Sequence, residues 1–531
     1  MDGVARNLQR NVAVVVLWAM VSTSQAFSQT AASPSDAISR TIESDLESGA
    51  GVSPLDLEML KTFYAARENR PAWYDDHGLN ADGRLAIATI AAAAEHGLSA
   101  DQYGLLNISK PLSGHNPALV ADRDILLSAQ FMHFATDLRA GRNFLKYLDA
   151  DVDVPPSNFN VSVELSRALR DQKLTEFVQA LPPQSLAYSA LKSALARYRA
   201  ISAKGGWRDL SFDRSFNIWT ADDASLLSLR DRLSIEDPVL SAIVRPSSSD
   251  IEAALQRFQA RNGQPSDGVM TPTTIASLNI SASARALQIA ANMERLRWLP
   301  RVEAKSYVTV NVPDATLQVV NLGVPILTSR VIVGRPKDPT PIFQAQITDV
   351  VANPPWIVPE KIARQEILPK AGRNPSYLAR HHMIIVNGQV RQLPGQSNSL
   401  GLLKLEVTDR FSVYLHDTPS RALFAHNERF LSHGCVRVQQ VIPLASYALT
   451  GDITGGVRRI LSAIATGRTV HLPIKTPIPL YVNYFTAFVS TDGILQFRPD
   501  VYGRDNRMIA AFSGSRFSQN TGTISACRHA T

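Results

Sequence analysis

The stretch YVTVNVPDATLQVVNLGVPILTSRVIV, residues 307–333, decides the fold of the second half of this chain. Tyr307, Thr309 and Asn311 alternate with Val308, Val310 and Val312, the period of a strand with one buried face. Pro313-Asp314 makes a turn, and Leu317, Val319 and Val320 start a second strand. Asn321-Leu322-Gly323 turns the chain again into Pro325 to Val333, so the reading is a β-meander. Further strands are predicted at Gln346 to Ala352, Lys404 to Val407 and Phe411 to His416. Between Trp356 and Leu400 lies a long insert with Pro, Gly, Arg and His, which reads as a loop or lid.

Upstream of residue 300 the period is helical. Leu57, Leu60, Phe63 and Tyr64 share a face over Leu55 to Arg67, and an Ala-rich helix from Leu85 to Ala94 ends at Gly97. Phe131 to Leu138 and Leu186 to Ile201 repeat the pattern. No catalytic cluster stands out in this half, and His133 reads as a helix-packing residue. Ile251, Ala254, Leu255 and Phe258 make one apolar face, followed by turns at Gly263 and Asp267-Gly268 and a second helix from Thr271 to Leu278. Residues 284–300 read as a linking helix.

A chain of 531 residues exceeds one ordinary core, so several domains are expected. With 45% hydrophobic and 19% charged residues it has the composition of a globular protein. The net charge of +7 is spread along the chain and makes no nucleic-acid footprint. The start reads as a secretory signal: Arg6 and Arg10, the apolar run Val12 to Val21, then Ser24-Gln25-Ala26. Uncleaved, the same segment would act as a membrane anchor. Residues 28–37, rich in Ser, Gln, Thr and Ala, read as a spacer. Two cysteines in an oxidising compartment would ordinarily pair. Cys527 lies in a polar tail, however, and is expected to stay outside the cleft, leaving both thiols free.

The segment VYLHDTPSRALFAHNERFLSHGCVRVQQ, residues 413–440, carries the chemistry. Cys435 follows Ser432-His433-Gly434, and His416 stands nineteen positions earlier at the end of a predicted strand. A thiol attacks as thiolate, so a histidine at contact distance and a helix starting just after the cysteine would both activate it. Gly434 permits a tight turn that can aim backbone N–H groups at one point, as an oxyanion hole requires. Two rival readings stay open: His416, His433 and Cys435 as three zinc ligands, or a wall-binding scaffold without catalysis. His381-His382 and His426 read as solvated loop residues.

The string Ser432-His433-Gly434-Cys435-Val436-Arg437, with His416 upstream, resembles the catalytic motif of YkuD-type L,D-transpeptidases. The resemblance implies Cys435 as nucleophile and His416 as base and then acid, with the Asp417 carbonyl orienting the imidazole. His433 and Gly434 would shape the oxyanion region with the Cys435 N–H. Ser432 belongs to the same motif and joins the substrate-binding set, and Arg437 would meet a substrate carboxylate or brace the loop. FYAARENRPAW (63–73), NMERLRWLP (292–300), NPPWIVP (353–359), RQLPGQSNSLG (391–401) and FRPDVYGRD (497–505) extend the likeness to the large YcbB-like subfamily. By that likeness Tyr414 faces the site and Trp356 lies at the base of the lid. IEAALQRFQARNGQPSDGVMTPTTIASLN resembles a small helical peptidoglycan-binding domain, with Met270 where a second glycine is common.

The expected architecture is therefore an α+β multidomain chain: a helical scaffold and small helical peptidoglycan-binding module, then a mainly β YkuD-type catalytic domain with a lid insert. The expected boundaries are a signal peptide over 1–26, scaffold 34–245, binding-like module 246–280 and linking helix 281–304. The catalytic domain follows over 305–475, with its lid at about 357–400, and then an extension and tail over 476–531. The resemblance implies a periplasmic monomer acting on peptidoglycan stem peptides and glycan, with cell-wall synthesis partners, no nucleic acid, and neither cofactor nor metal.

Overall fold

The structure is a computed structural model that describes residues 33–48, 54–112, 114, 116–142, 146, 148–212, 216–301 and 304–512. The signal segment 1–26 and Cys527 lie outside the described residues. Among the described residues no helix is long and apolar enough to cross a membrane.

The first half is helical, and the core of its leading part is aromatic. Trp73, Tyr64, Phe63 and Phe131 are fully buried together. Asp124 is buried with them because its carboxylate accepts from the Ala72 and Trp73 amides and, at 2.6 Å, from the Tyr64 hydroxyl. Those bonds offset the cost of burying a carboxylate. Pro34–Ser48 is a helix with Ala37 buried, so the spacer reading fails for residues 34–37. His133 pairs with Asp56 at 3.0 Å.

Two parts of the helical half differ from the sequence reading. Helices Ser248–Arg261 and Pro272–Leu278 share one core with Leu210, Ile218, Leu229, Leu233 and Leu240, so that packed unit begins near residue 210 rather than 246. The apolar face of a two-helix module is too small to close a core alone. The helix Ala282–Arg297 is buried rather than a linker. Its Glu294 binds Arg142 and Arg297, and its Arg295 binds Asp505 at 2.5 Å. Charged residues on this helix hid its burial from a periodicity reading.

The second half is built on a mixed sheet. Among the described residues its hydrogen-bonded order is Leu403–Val407, Leu415–His416, Val436–Val438, Val324–Gly334, Thr316–Asn321, Ser306–Asn311, Val470–Asn483, Ile342–Ala352 and Val152–Asp153. Leu403–Val407 also pairs with Ile342–Ala352, which closes the order on itself into a ring. Val152–Asp153 comes from the helical half, so the two halves share this sheet. The predicted meander is present with its antiparallel register. The strand Val470–Asn483 runs across the expected boundary at 475 and pairs on both sides, so its first and last residues belong to one domain. Its exposed Lys475, Thr476 and Pro477 interrupt the apolar pattern and conceal its length.

The insert is a folded unit rather than a loop. Trp356–Ile357, Met383–Val386 and Gln389–Gln392 form a small antiparallel sheet. Val358, Ala363, Ile367, Met383 and Val390 make a core of its own. His381 and His382 are exposed on it, and His381 packs against Tyr377 with the rings tilted at 43°.

Candidate active site

Strand alternation assembles the site. Leu415–His416 pairs in parallel with Val436–Val438, with Leu415 opposite Val436 and His416 opposite Arg437. The Val436 amide donates to the Tyr414 carbonyl at 3.1 Å, so the nineteen-residue gap between His416 and Cys435 closes to adjacent strands. Leu415, Val436 and Val438 enter the core. Side chains of successive residues point to opposite faces, which puts Tyr414, His416, Cys435 and Arg437 together on the other face. Lys404, paired with His416 from the next strand, joins that face.

His416 is buried, and its Nδ1 lies 2.6 Å from the Asp417 carbonyl. A carbonyl only accepts, so Nδ1 carries the hydrogen and Nε2 is left as the base. Burial, reinforced by the Arg437 charge, lowers the imidazole to about 3. Burial also pushes the Cys435 thiol up, against the opposing pull of the Tyr414 backbone and hydroxyl and of Lys404. The resting pair is therefore neutral thiol and neutral imidazole, not the preformed thiolate–imidazolium pair that a contacting histidine suggests. The expected helix dipole is also missing. Val436–Val438 is a strand, and the next helix starts only at Val441.

The Asp417 carbonyl can face His416 because its carboxylate is tied elsewhere. Oδ2 accepts from the Leu402 amide at 3.0 Å and Oδ1 from Arg421 at 2.7 Å. Gly401 sits against this carboxylate with φ +63°, and a Cβ there would collide with it.

The nucleophile loop is pinned through its backbone. Ser432 Oγ donates to the Cys435 carbonyl at 2.6 Å and accepts from the Gly434 amide at 3.1 Å. Thr340 Oγ1 donates to the Gly434 carbonyl at 2.7 Å while accepting from the Gly334 amide at 2.8 Å. Gly434 adopts φ +113°, a region that side chains disfavour. Its amide is engaged by the Ser432 hydroxyl. The Cys435 amide has no hydrogen-bond partner among the described residues. The 497–505 segment braces this loop from behind: Tyr502 donates to the Gly334 carbonyl, and Arg504 donates to the Thr340 carbonyl at 3.1 Å.

Around the thiol, the Tyr414 hydroxyl interacts with both Cys435 and the Trp356 side chain. Lys404 Nζ lies 4.2 Å from the Tyr414 ring centroid and 2.8 Å from Glu406. Arg437 stands beside the nucleophile, and its buried Nε has no hydrogen-bond partner among the described residues. His433 binds Glu366 of the lid at 2.7 Å. Among the described residues no three His, Cys, Asp or Glu side chains converge as a metal-ligand set. The zinc reading of His416, His433 and Cys435 therefore lacks its geometry.

The sequence reading missed Lys404, Thr340, Gly401, Arg421 and Glu366. Gly401 and Thr340 act through close backbone approach, and the other three reach the site from neighbouring elements. Gly401 lies within the string 391–401 and Arg421 within 413–440, but neither string shows what its residue touches.

Residues 305–463 match the L,D-transpeptidase catalytic domain, YkuD. Cys435, His416 and the lid all fall inside this match, and residues 58–195 match a scaffold domain. The chain thus has a helical N-terminal region followed by a mainly β YkuD domain. A Haemophilus influenzae protein named "Putative L,D-transpeptidase" is 34% identical over 242 residues, covering 42% of this chain and 48% of that protein. The chain thus spans about half the length of that relative. Two solved structures align loosely. The Ldtfm–avibactam carbamoyl enzyme is 13% identical with TM-score 0.19, over 34% of this chain and 50% of that one. The L,D-transpeptidase (Yku) from Stackebrandtia nassauensis is 15% identical with TM-score 0.18, over 48% and 90%. At those scores neither alignment carries an argument.

Proposed function

We propose that this protein is an exported peptidoglycan L,D-transpeptidase of the large YcbB-like subfamily, acting through a Cys435 thioester. The observation that carries the reading is the parallel register of Leu415–His416 with Val436–Val438, which sets the His416 imidazole and the Cys435 thiol on one face. The YkuD match over 305–463 supplies the reaction class.

Because the resting pair is neutral, proton transfer accompanies attack. Cys435 Sγ bonds to the carbonyl carbon of the third stem-peptide residue, a diamino acid, as its proton passes to His416 Nε2. The Asp417 carbonyl holds the resulting imidazolium in place. The Cys435 amide faces the oxyanion, since the Gly434 amide is already bound to Ser432. Collapse breaks the C–N bond, and D-alanine leaves with the proton from Nε2. An acceptor amine then attacks the thioester, gives its proton to Nε2 and releases the thiol, which recovers that proton. A second stem peptide as acceptor yields a 3→3 cross-link. Arg437, with its unpartnered buried Nε, binds a substrate carboxylate. Tyr414 and Trp356 line the donor site. Export by residues 1–26 places the reaction in the periplasm, and helices Ser248–Arg261 and Pro272–Leu278 contact glycan.

Incubation of purified protein with tetrapeptide muropeptides, followed by mass spectrometry, tests this reading. The expected products are 3→3 dimers and free D-alanine, both absent with Cys435→Ala. Dimers that persist in Cys435→Ala, or activity lost to a chelator but not to iodoacetamide, would overturn it.

A further inference from the structure

The lid touches the catalytic loop through charge. Glu366 lies in the π-helical turn Ala363–Ile367, whose Ala363 and Ile367 are buried in the lid's own core. A single oxygen, Glu366 Oε1, accepts from His433 Nε2 at 2.7 Å and from Arg335 at 3.0 Å. Arg335 is itself part of the loop's support, since its amide donates to the Ser432 carbonyl at 3.0 Å. Its guanidinium also holds Asp338 at 2.7 Å, and Asp338 takes a second lid residue, Lys361, at 2.7 Å. The lid thus docks through two ties that share Arg335: Glu366 reaches His433 of the nucleophile loop directly, and Lys361 reaches the loop only through Asp338 and Arg335.

A carboxylate only accepts, so His433 presents Nε2–H to Glu366, and this bond fixes the direction of the ring. The residue that follows His433 is Gly434, whose backbone lies where only glycine is at ease. Without Glu366 nothing else among the described hydrogen-bond partners holds that ring.

We propose that Glu366 is a positioning residue of the lid: it orients His433 two residues before the nucleophile, so that lid closure and the catalytic-loop geometry become one event. The proposal rests on the reading of Cys435 as nucleophile. Glu366 does not touch the reacting atoms and acts only through His433.

The test follows acylation of the full chain by imipenem, giving a limiting rate and a half-saturating concentration. Glu366→Ala should lower the limiting rate about ten- to hundredfold, the range for a misplaced site group. Glu366→Gln keeps an acceptor oxygen at the same reach and should restore most of it. Adding Glu366→Ala to His433→Ala should slow the enzyme no further, because the two act as a unit. Lys361→Ala breaks the other tie and should raise half-saturation while leaving the limiting rate within about twofold, as for an exposed pair. Additive loss in the double variant, or a Glu366→Ala effect confined to half-saturation, would overturn the proposal. Cys435→Ala separates the two levels. An adduct surviving that change sinks the nucleophile reading itself, whereas its loss beside an indifferent Glu366→Ala sinks only this inference.

Discussion

The catalytic loop and the lid are held in opposite ways. Ser432 to Cys435 is fixed by short, buried, neutral hydrogen bonds from Ser432 and Thr340, backed by the 497–505 segment. The lid has its own small core and meets the body through the partly exposed ion pairs of Arg335, Asp338, Lys361, Glu366 and His433. Neutral buried bonds are insensitive to salt and costly to break, while exposed ion pairs are weak and screened. The nucleophile loop is held mainly by its own buried bonds, and the lid adds one tie to it at His433.

The largest effect should come from the base. His416→Ala should slow acylation by roughly two to four orders of magnitude, the usual range for a positioned acid–base group. Stopped-flow acylation would check it, and an unchanged rate would remove His416 from the mechanism. Thr340→Val should come next. It leaves the Gly334 amide and Gly434 carbonyl without partners, costing about 1–3 kcal/mol of stability. It should slow acylation as well, and denaturant melts beside kinetics would show whether the loop is as rigid as the comparison requires.

Acid should weaken the fold through His416. Folding lowers His416 to about 3, whereas an unfolded histidine titrates near about 6.5. The unfolded chain therefore binds the proton more readily. This group's stability contribution is complete above about pH 6.5 and declines as pH falls towards about 3, by up to about 1.4 kcal/mol per pH unit. Replacing His416 with Asn should flatten that slope in pH-dependent melts. A parallel slope would mean the imidazole is not held neutral. The same state predicts that iodoacetamide alkylation of Cys435 keeps accelerating above pH 8.5, the ordinary thiol value. The smallest effect belongs to the more exposed lid tie, Lys361 to Asp338. Raising salt from about 0.05 to about 0.5 M should increase half-saturation a few-fold at most through this pair.

Much of this was legible beforehand where one strand or one motif carried the signal. Alternating Val308, Val310 and Val312 mark the meander, and the SHGC string and His416 flank two strands that the fold pairs in parallel. Sequence spacing could not show that Cys435 precedes a strand instead of a helix, because Val436-Arg437-Val438 suits both and the helical run resumes at Val441. Nor could it show that burial keeps thiol and imidazole neutral. Thr340, Glu366 and Lys404 were illegible because their roles exist only across strand pairs and the lid contact, far from the motif in sequence. The lid's independence was hidden for a related reason: its core combines five residues scattered over Val358 to Val390.

The most direct test of the central claim is the site of covalent capture. Imipenem-treated protein should gain one adduct mass, and peptide mapping should place it on the peptide containing Cys435, with none in Cys435→Ala. An adduct on any other residue, or one of equal yield in Cys435→Ala, would contradict the assignment of Cys435 as the nucleophile.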